Sequence, residues 1–252
     1  MGFIKFLGTA GARFVMIRQL RFSAGIWINY KGTNIIIDPG PGSLLRCNLS
    51  KPKLDPSSLD GIILTHKHLD HCGDINVMIE AMTEGGFKKR GVVFLPKDAV
   101  GETGVIFKYL MDFPEKFVFL KEKEKFLIGD IEFETPLKNK HPVETYGLKF
   151  YFENKTVSFI SDTDYFDDII DVYKDSDIIV LNVVFYQKRD DIEHLSLDEA
   201  LNIAQKINPK KTILTHFGMS VLKAKPHILE EKIIKNLKID IKFAYDGFTL
   251  EI

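Results

Sequence analysis

Thr65-His66-Lys67-His68-Leu69-Asp70-His71 follows the apolar run Gly61-Ile62-Ile63-Leu64 and precedes a segment with helical patterning. A short loop between a strand and a helix can turn several side chains toward one point. His66 and His68, two residues apart, face the same way if strand geometry continues into the loop. Asp70 and His71 then turn toward a second position as the helix begins. Imidazole and carboxylate suit zinc and also manganese or iron, so the stretch points to a divalent metal more firmly than it names one. The competing explanation is a polar loop that happens to hold three histidines. It fares badly, because three His and one Asp in six residues have no capping or salt-bridging role in view.

Three further candidates end strand-like runs downstream. His141 follows Ile131 to Thr135, Asp162 follows Phe159-Ile160-Ser161, and His216 follows Ile213-Leu214-Thr215. Each alone reads more simply as a surface or capping residue; together with the first cluster they add up to a ligand set. Asp164 competes with Asp162, but helix capping accounts for Asp164. Cys72, beside His71, reads as packing, and Cys47 carries no signal.

In this order and between these elements, His66-Lys67-His68-Leu69-Asp70-His71, His141, Asp162 and His216 resemble the metallo-β-lactamase-fold hydrolase superfamily. The resemblance spans essentially the whole chain, from Leu7-Gly8-Thr9 through Ile37-Asp38-Pro39-Gly40 to His216. It implies a four-layer αββα sandwich over residues 1–252 as one domain. It also implies that His66, His68 and His141 hold one metal ion and Asp70, His71 and His216 the other, with Asp162 bridging them. Zinc is the first expectation, with manganese or iron as alternatives. Asp38 would orient a metal-binding His from behind, or else simply form the turn before Pro39.

The rest of the chain reads as mixed α/β. Strands are expected at Phe3 to Leu7, Phe14 to Ile17, Ile26 to Tyr30 and Asn34 to Ile37, and again at Asp177 to Leu181, Thr212 to Thr215, Ile239 to Ala244 and Phe248 to Ile252. Ile75, Met78, Ile79 and Met82 fall at helical spacing, and a weaker helix is expected around Val105 to Met111. Asp164 would cap a helix carrying Phe166, Ile169, Ile170 and Tyr173. Ser196-Leu197-Asp198-Glu199 fits a capping box opening a helix that buries Leu197, Ala200, Leu201, Ala204 and Ile207. A last helix from Pro226 would turn Leu229, Ile233, Ile234 and Leu237 inward. Lys121 to Lys125 alternates in sign and reads as a solvated turn.

Composition bounds the function. With 252 residues, 34 Lys+Arg and 35 Asp+Glu, the net charge of −1 argues against a long nucleic acid and for a small-molecule substrate. Two cysteines cannot build a disulfide framework, which favours a reducing cytoplasm. No apolar run is long enough for a membrane span, and the first residues read as a strand with no secretory pattern. An oligomer is compatible with all of this.

A pair of divalent ions acidifies a bridging water and neutralises charge on a phosphoryl or carbonyl oxygen. His194, just before the capping box and not needed as a ligand, could donate a proton to a leaving alkoxide; the alternative is an exposed loop His. This arrangement resembles the ribonuclease Z and cyclic-phosphate phosphodiesterase branch. That ribonuclease pairs its His with a carboxylate after the preceding strand, whereas Leu181-Asn182-Val183-Val184 here has no acid. The ribonuclease's long tRNA-gripping arm also has no counterpart. Glu80 to Gly91 could be a flap over the site, and Arg13, Arg18 and Arg21 could bind phosphate, though surface roles explain both. The expectation is a dinuclear phosphodiesterase on a small or nucleotide-like substrate, with His194 and Asp70 in catalytic roles. The alternatives are a thioester or lactone hydrolase on the same metals, or a metal-bound ligand sensor with little turnover.

Overall fold

Period-two alternation in strand after strand builds two sheets that each bury one face against the other and one against helices. The computed structural model of the chain describes residues 2–23 and 25–252. The first sheet contains β1 (Gly2–Phe6), β2 (Ile26–Tyr30), β3 (Thr33–Ile37), β4 (Gly61–Ile63), β5 (Val92–Leu95) and β6 (Lys116–Phe119). The second contains β7 (Glu124–Ile128), β8 (Ile131–Thr135), β9 (Leu148–Phe152), β10 (Lys155–Ile160), β11 (Ile178–Asn182), β12 (Lys211–Thr215) and β13 (Ile241–Phe243). β14 (Thr249–Glu251) returns to the first sheet beside β1, so the strand orders are β14-β1-β2-β3-β4-β5-β6 and β13-β12-β11-β10-β9-β8-β7. Each sheet is antiparallel on one side and parallel on the other: β3 to β6 run parallel, as do β10 to β13.

The helices are α1 (Ala12–Ile17), α2 (Ser43–Leu49), α3 (Leu69–Cys72), α4 (Ile75–Met82), α5 (Asp168–Tyr173), α6 (Leu197–Ile207), α7 (Met219–Lys223) and α8 (Pro226–Leu237). Ile35 and Ile37 point into the space between the sheets, where they meet a core that includes Phe133, Phe150 and Val180. Ile36 points the other way, into a layer with Ile75, Met78, Ile79 and Met82 of α4. Ile179 and Leu181 face Ile169 of α5 and Ala200, Ile203 and Ala204 of α6. The result is the expected four-layer αββα sandwich. Each fully buried aliphatic side chain of α4 contributes roughly 1.5–3 kcal/mol over exposure, more than its weak capping could.

Some local expectations change. Phe14 to Ile17 belongs to α1, not to a strand: Val15 alone is buried while Phe14 and Ile17 are exposed, and the segment pairs with no sheet. The helix expected around Val105 to Met111 shrinks to a 3-10 turn, Lys108–Asp112, because only Leu110 within it reaches the core. Asp164 does not cap α5. It accepts a hydrogen bond from the Tyr165 N–H and pairs with Lys188. In α6 the capping box forms as expected, but Ile203 takes the buried place given to Leu201, which is half-buried. Ile234 of α8 is 43% exposed and so does not face the core. The Glu80 to Gly91 segment is anchored at its far end, where Arg90 donates to the Ser57 carbonyl and to Asp60 just before β4. Among the described residues no helix is long and apolar enough to cross a membrane.

Candidate metal centre

The seven candidate ligands, and Asp38 behind them, stand on the segments that follow strands, where the two sheets meet. Asp38 follows β3, and His66, His68, Asp70 and His71 follow β4. His141 follows β8, Asp162 follows β10, and His216 follows β12. In open α/β sheets the crevice at the carboxyl ends of parallel strands is where loops converge, and here two such edges face each other.

The convergence is tight. His66, His68 and His141 bring ligand atoms within 4.8 Å of one another, and so do Asp70, His71 and His216. Asp162 reaches both groups. Its Oδ2 lies 3.7 Å from His66 Nε2 and 3.3 Å from His71 Nε2, and its Oδ1 lies 3.4 Å from His216 Nε2. His68 Nδ1 and His141 Nε2 are 3.0 Å apart, and His71 Nε2 and His216 Nε2 are 3.3 Å apart. All seven expected ligands are therefore together.

The atoms behind the ring determine which nitrogen each histidine presents. Thr65 Oγ1 donates to Asp38 Oδ2 at 2.7 Å, so its lone pair can accept from His66 Nδ1 at 3.1 Å. His71 Nδ1 donates to Asp38 Oδ2 at 2.9 Å, and His141 Nδ1 donates to the Glu193 carbonyl at 3.1 Å. With their protons placed on Nδ1 by these partners, all three rings turn an Nε2 lone pair inward. Asp38 thus holds His71 directly and His66 through Thr65, one ring in each group. Asp70 Oδ2 accepts from the Ala12 N–H at 3.0 Å, which fastens the start of α1 to the centre. Gly11 has room for no side chain, since a Cβ there would overlap the His216 carbonyl oxygen. Asp38 (φ 47°) and His216 (φ 60°) both occupy the left-handed region, sparsely populated by residues other than glycine.

Charge is distributed unevenly around the ring. Burial pushes the His66 and His68 pKa values down, and pushes His141 down to about 4. Burial also opposes charge on His71, yet Asp162, Asp38 and Asp70 together hold its pKa well above the ordinary value. His216 is likewise raised to about 9, with Asp162 outweighing burial. Asp70 and Asp162 stay well below the usual carboxylate range despite burial, held down chiefly by His71 and His216. Two carboxylates therefore draw positive charge into the centre of the cluster.

This donor set fits divalent cations. His66 Nε2 is completely buried and has no hydrogen-bond partner, a costly state for a polar atom unless it ligates an ion. The nitrogen–oxygen separations across the centre run from 3.3 to 3.9 Å, longer than the usual hydrogen bond. They match the edges of a tetrahedron of ligands about 2.1 Å from a central ion, which are roughly 3.4 Å long. Cys72 is outside this set: its Sγ donates to the Lys67 carbonyl, and burial pushes the thiol up to about 11.

His194 arrives from the loop before α6. Its Nδ1 lies 3.6 Å from Asp162 Oδ2, and its ring packs 5.0 Å from His141 and 6.1 Å from Phe185. Burial lowers its pKa, outweighing the opposing charge of Asp162. The carboxylate facing His194 is thus Asp162. Asn182 acts elsewhere, its Nδ2 donating to Asp162 Oδ1 at 2.8 Å. His194 with His141 and Asp162 also forms a group with the spacing of metal ligands.

Four supporting residues, Thr65, Asn139, Ser161 and Asn182, escape a search for ligand types, because amides and hydroxyls are poor ligands and good props. Asn139 donates to the Ser161 and Asp162 carbonyls, and Ser161 Oγ meets Thr65 Oγ1 at 2.9 Å. For Thr65, Asn139 and Ser161 the only signal in sequence is nearness to a candidate ligand, and Asn182 lacks even that. Of the arginines considered for phosphate, Arg21 is engaged structurally, donating to Thr9 Oγ1 and the Ala244 carbonyl. Arg13 lies close enough to His68 to repel its proton, and Arg18 is exposed at the end of α1.

Relatives are consistent with this architecture. By sequence the chain is similar to the uncharacterized protein MJ1374 of Methanocaldococcus jannaschii, 28% identical with 99% of this chain and 94% of the relative covered. It is 24% identical to ribonuclease Z of Clostridium novyi, with 94% of this chain and 99% of the relative covered. That alignment runs over 314 positions against 252 residues here, so more than 60 positions of the ribonuclease have no counterpart in this chain. Among solved structures, the metallo-β-lactamase fold protein YhfI of Bacillus subtilis superposes with a TM-score of 0.82 at 21% identity, covering 100% of this chain and 99% of that one. A diphosphatase from the PhnP family gives 0.76 at 20% identity, covering 100% and 98%. The description "Beta-lactamase superfamily domain" matches residues 33–217, from β3 through every candidate ligand to His216, and the chain belongs to that superfamily.

Proposed function

We propose that the protein is a dinuclear metal-dependent phosphodiesterase acting on a small substrate. The observation that carries this reading is His194, facing Asp162 at 3.6 Å beside two groups of ligand atoms. His66, His68 and His141 would hold one divalent ion and Asp70, His71 and His216 the other, with Asp162 shared; zinc suits the His-rich set, and manganese or iron would also fit. Such ions, when bound, supply an acidified water and a Lewis acid for phosphoryl oxygens.

The protein's own groups do the rest. Asp38, through His71 and through Thr65 to His66, fixes ring orientation on both sides of the centre. Asn182 holds Asp162 Oδ1, leaving Oδ2 toward His194. Asp70 is kept ionised and pinned by the Ala12 N–H. His194 Nδ1 faces Asp162, whose charge opposes but does not outweigh the lowering of the ring's pKa by burial; the lowered pKa makes the protonated ring a stronger acid toward a departing alkoxide. A phosphodiester with an alkyl leaving group needs such an acid; a thioester or lactone hydrolase could dispense with it. The names of the relatives, a ribonuclease and a diphosphatase, support chemistry on phosphorus. The missing alignment positions and the near-neutral charge favour a small substrate over tRNA. Buried, unpaired Cys47 and Cys72 fit a cytoplasmic setting.

Metal analysis followed by a phosphodiester assay tests this. Purified protein should carry close to two divalent ions per chain and hydrolyse bis(p-nitrophenyl) phosphate. Metal-loaded protein inert toward every activated phosphodiester, yet active on a thioester or lactone, would overturn the assignment.

A further inference from the structure

Beside the metal centre lies a cavity of about 530 Å³, enclosed by the start of α1, the loop after β11 and α7. That volume is within the range of sites for small organic ligands. The cavity shares walls with the centre. Ala12, in its lining, donates its N–H to Asp70, and Phe185, also in its lining, packs against the His194 ring.

Its chemistry is specific. Phe14, Phe185 and Tyr186 supply aromatic surface. Among the described residues its charged lining consists of Lys188, Arg189 and Lys223, with no carboxylate. Phe14 is 64% exposed and Tyr186 38%, so their ring surfaces are open to a ligand in the cavity. Lys188 is committed to Asp164 and Glu199. Arg189 stacks over the Phe185 ring at 5.5 Å, and its partner Asp191 is itself 66% exposed, so that pair is weak and exchangeable. Aromatic faces among cations suit a planar ring joined to an anion.

We infer that this cavity seats a nucleoside attached to the phosphate that the metal centre processes, with the base among Phe14, Phe185 and Tyr186, and Arg189 and Lys223 favouring the anionic ligand. The inference rests on the phosphodiesterase reading for its chemistry but not for its test. It names the part of the substrate that gives selectivity, where the metal ligands give only reactivity.

Thymidine 5′-monophosphate and methyl phosphate, compared as competitive inhibitors of bis(p-nitrophenyl) phosphate hydrolysis, differ by the nucleoside alone. The nucleotide should bind about tenfold or more tightly, the worth of one base–aromatic stack. Phe14→Ala, at an exposed position where folding is not at stake, and Met219→Trp, which fills the cavity, should each bring the ratio toward one. Equal inhibition by the two phosphates in the wild-type protein would overturn the inference while leaving the hydrolase intact. If no phosphodiester is cleaved, equilibrium dialysis of the same two phosphates against the protein gives the ratio directly, and the cavity assignment stands or falls on it.

Discussion

Replacing Asp38 by Asn removes one charge from a residue that touches no proposed ligand atom, yet it should weaken both halves of the centre. Asparagine tolerates the left-handed backbone at this position better than most residues, so the substitution isolates the carboxylate from backbone strain. The carboxylate accepts three bonds: Thr65 N at 2.6 Å, Thr65 Oγ1 at 2.7 Å and His71 Nδ1 at 2.9 Å. An amide offers one oxygen and one NH2. With its oxygen in place of Oδ2, the Thr65 N–H is left facing a donor. With its nitrogen there, His71 must move its proton to Nε2, where it occupies the lone pair meant for a ligand. Bonds to a buried charge are worth roughly 1.5–3 kcal/mol each, so the variant should lose about 2–4 kcal/mol of stability. At 2–4 °C per kcal/mol, that is a melting temperature about 4–16 °C lower. Loss of such an orienting partner lowers metal affinity roughly 10–100-fold. Because Asp38 holds His71 directly and His66 through Thr65, both binding steps should weaken in competition with a chromophoric chelator. Two steps each within threefold of wild type would refute the relay, and loss of one step alone would confine Asp38 to His71.

Three other outcomes follow from the geometry. His194→Ala should slow hydrolysis of an alkyl phosphodiester about 10²-fold or more while leaving a p-nitrophenyl ester within a few-fold, since only the poor leaving group needs a proton; equal losses on both would remove His194 from that role. Metal-stripped protein should be most stable near pH 6.5. His216, raised to about 9, contributes stability that is full below the unfolded-state value and disappears as pH rises through 9, whereas His141, lowered to about 4, costs stability as pH falls from 6.5 toward 4. A melting temperature rising steadily from pH 6.5 to 9.5 would contradict the assignment of charge to His216. Ser196→Ala removes the hydroxyl half of the capping box while leaving the backbone N–H bond to Glu199, and should cost about 1 kcal/mol, read as a 2–4 °C drop in melting temperature.

The histidine–aspartate cluster was legible because ligand chemistry is written in residue types. Three His and an Asp within six residues, and single His or Asp residues closing later strands, leave few alternatives. The layers were legible in the alternation of Ile35, Ile36 and Ile37 and in the spacing of α4. What was hidden depends on distance in sequence. Phe14 to Ile17 has strand-like composition, but α1 is held by the Asp70 carboxylate 58 residues away, which local propensity cannot register. Asp164 looks like a helix cap until Lys188, 24 residues on, claims it. Asn182 stands out in the sequence only for not being an acid, and its hold on Asp162 emerges once β11 lies beside β10. The cavity draws on three segments between residues 11 and 223, none of which carries a ligand motif of its own.

The placement of the ligands at the seam bears on how the molecule comes apart. Asp38, His66, His68, Asp70 and His71 belong to one sheet, and His141, Asp162 and His216 to the other, so a bound ion would add a strong directional tie between two layers joined by their apolar core and by a few hydrogen bonds such as Tyr146 N–H to the Thr65 carbonyl. Ions held there should raise the cost of parting the layers more than the cost of fraying either one. In amide hydrogen exchange, metal should therefore convert separate opening of the two sheets into a single opening event, with the greatest gain in protection at the inner ends of β4, β10 and β12. The candidate metal centre would then also determine whether the protein unfolds as one cooperative unit or as two.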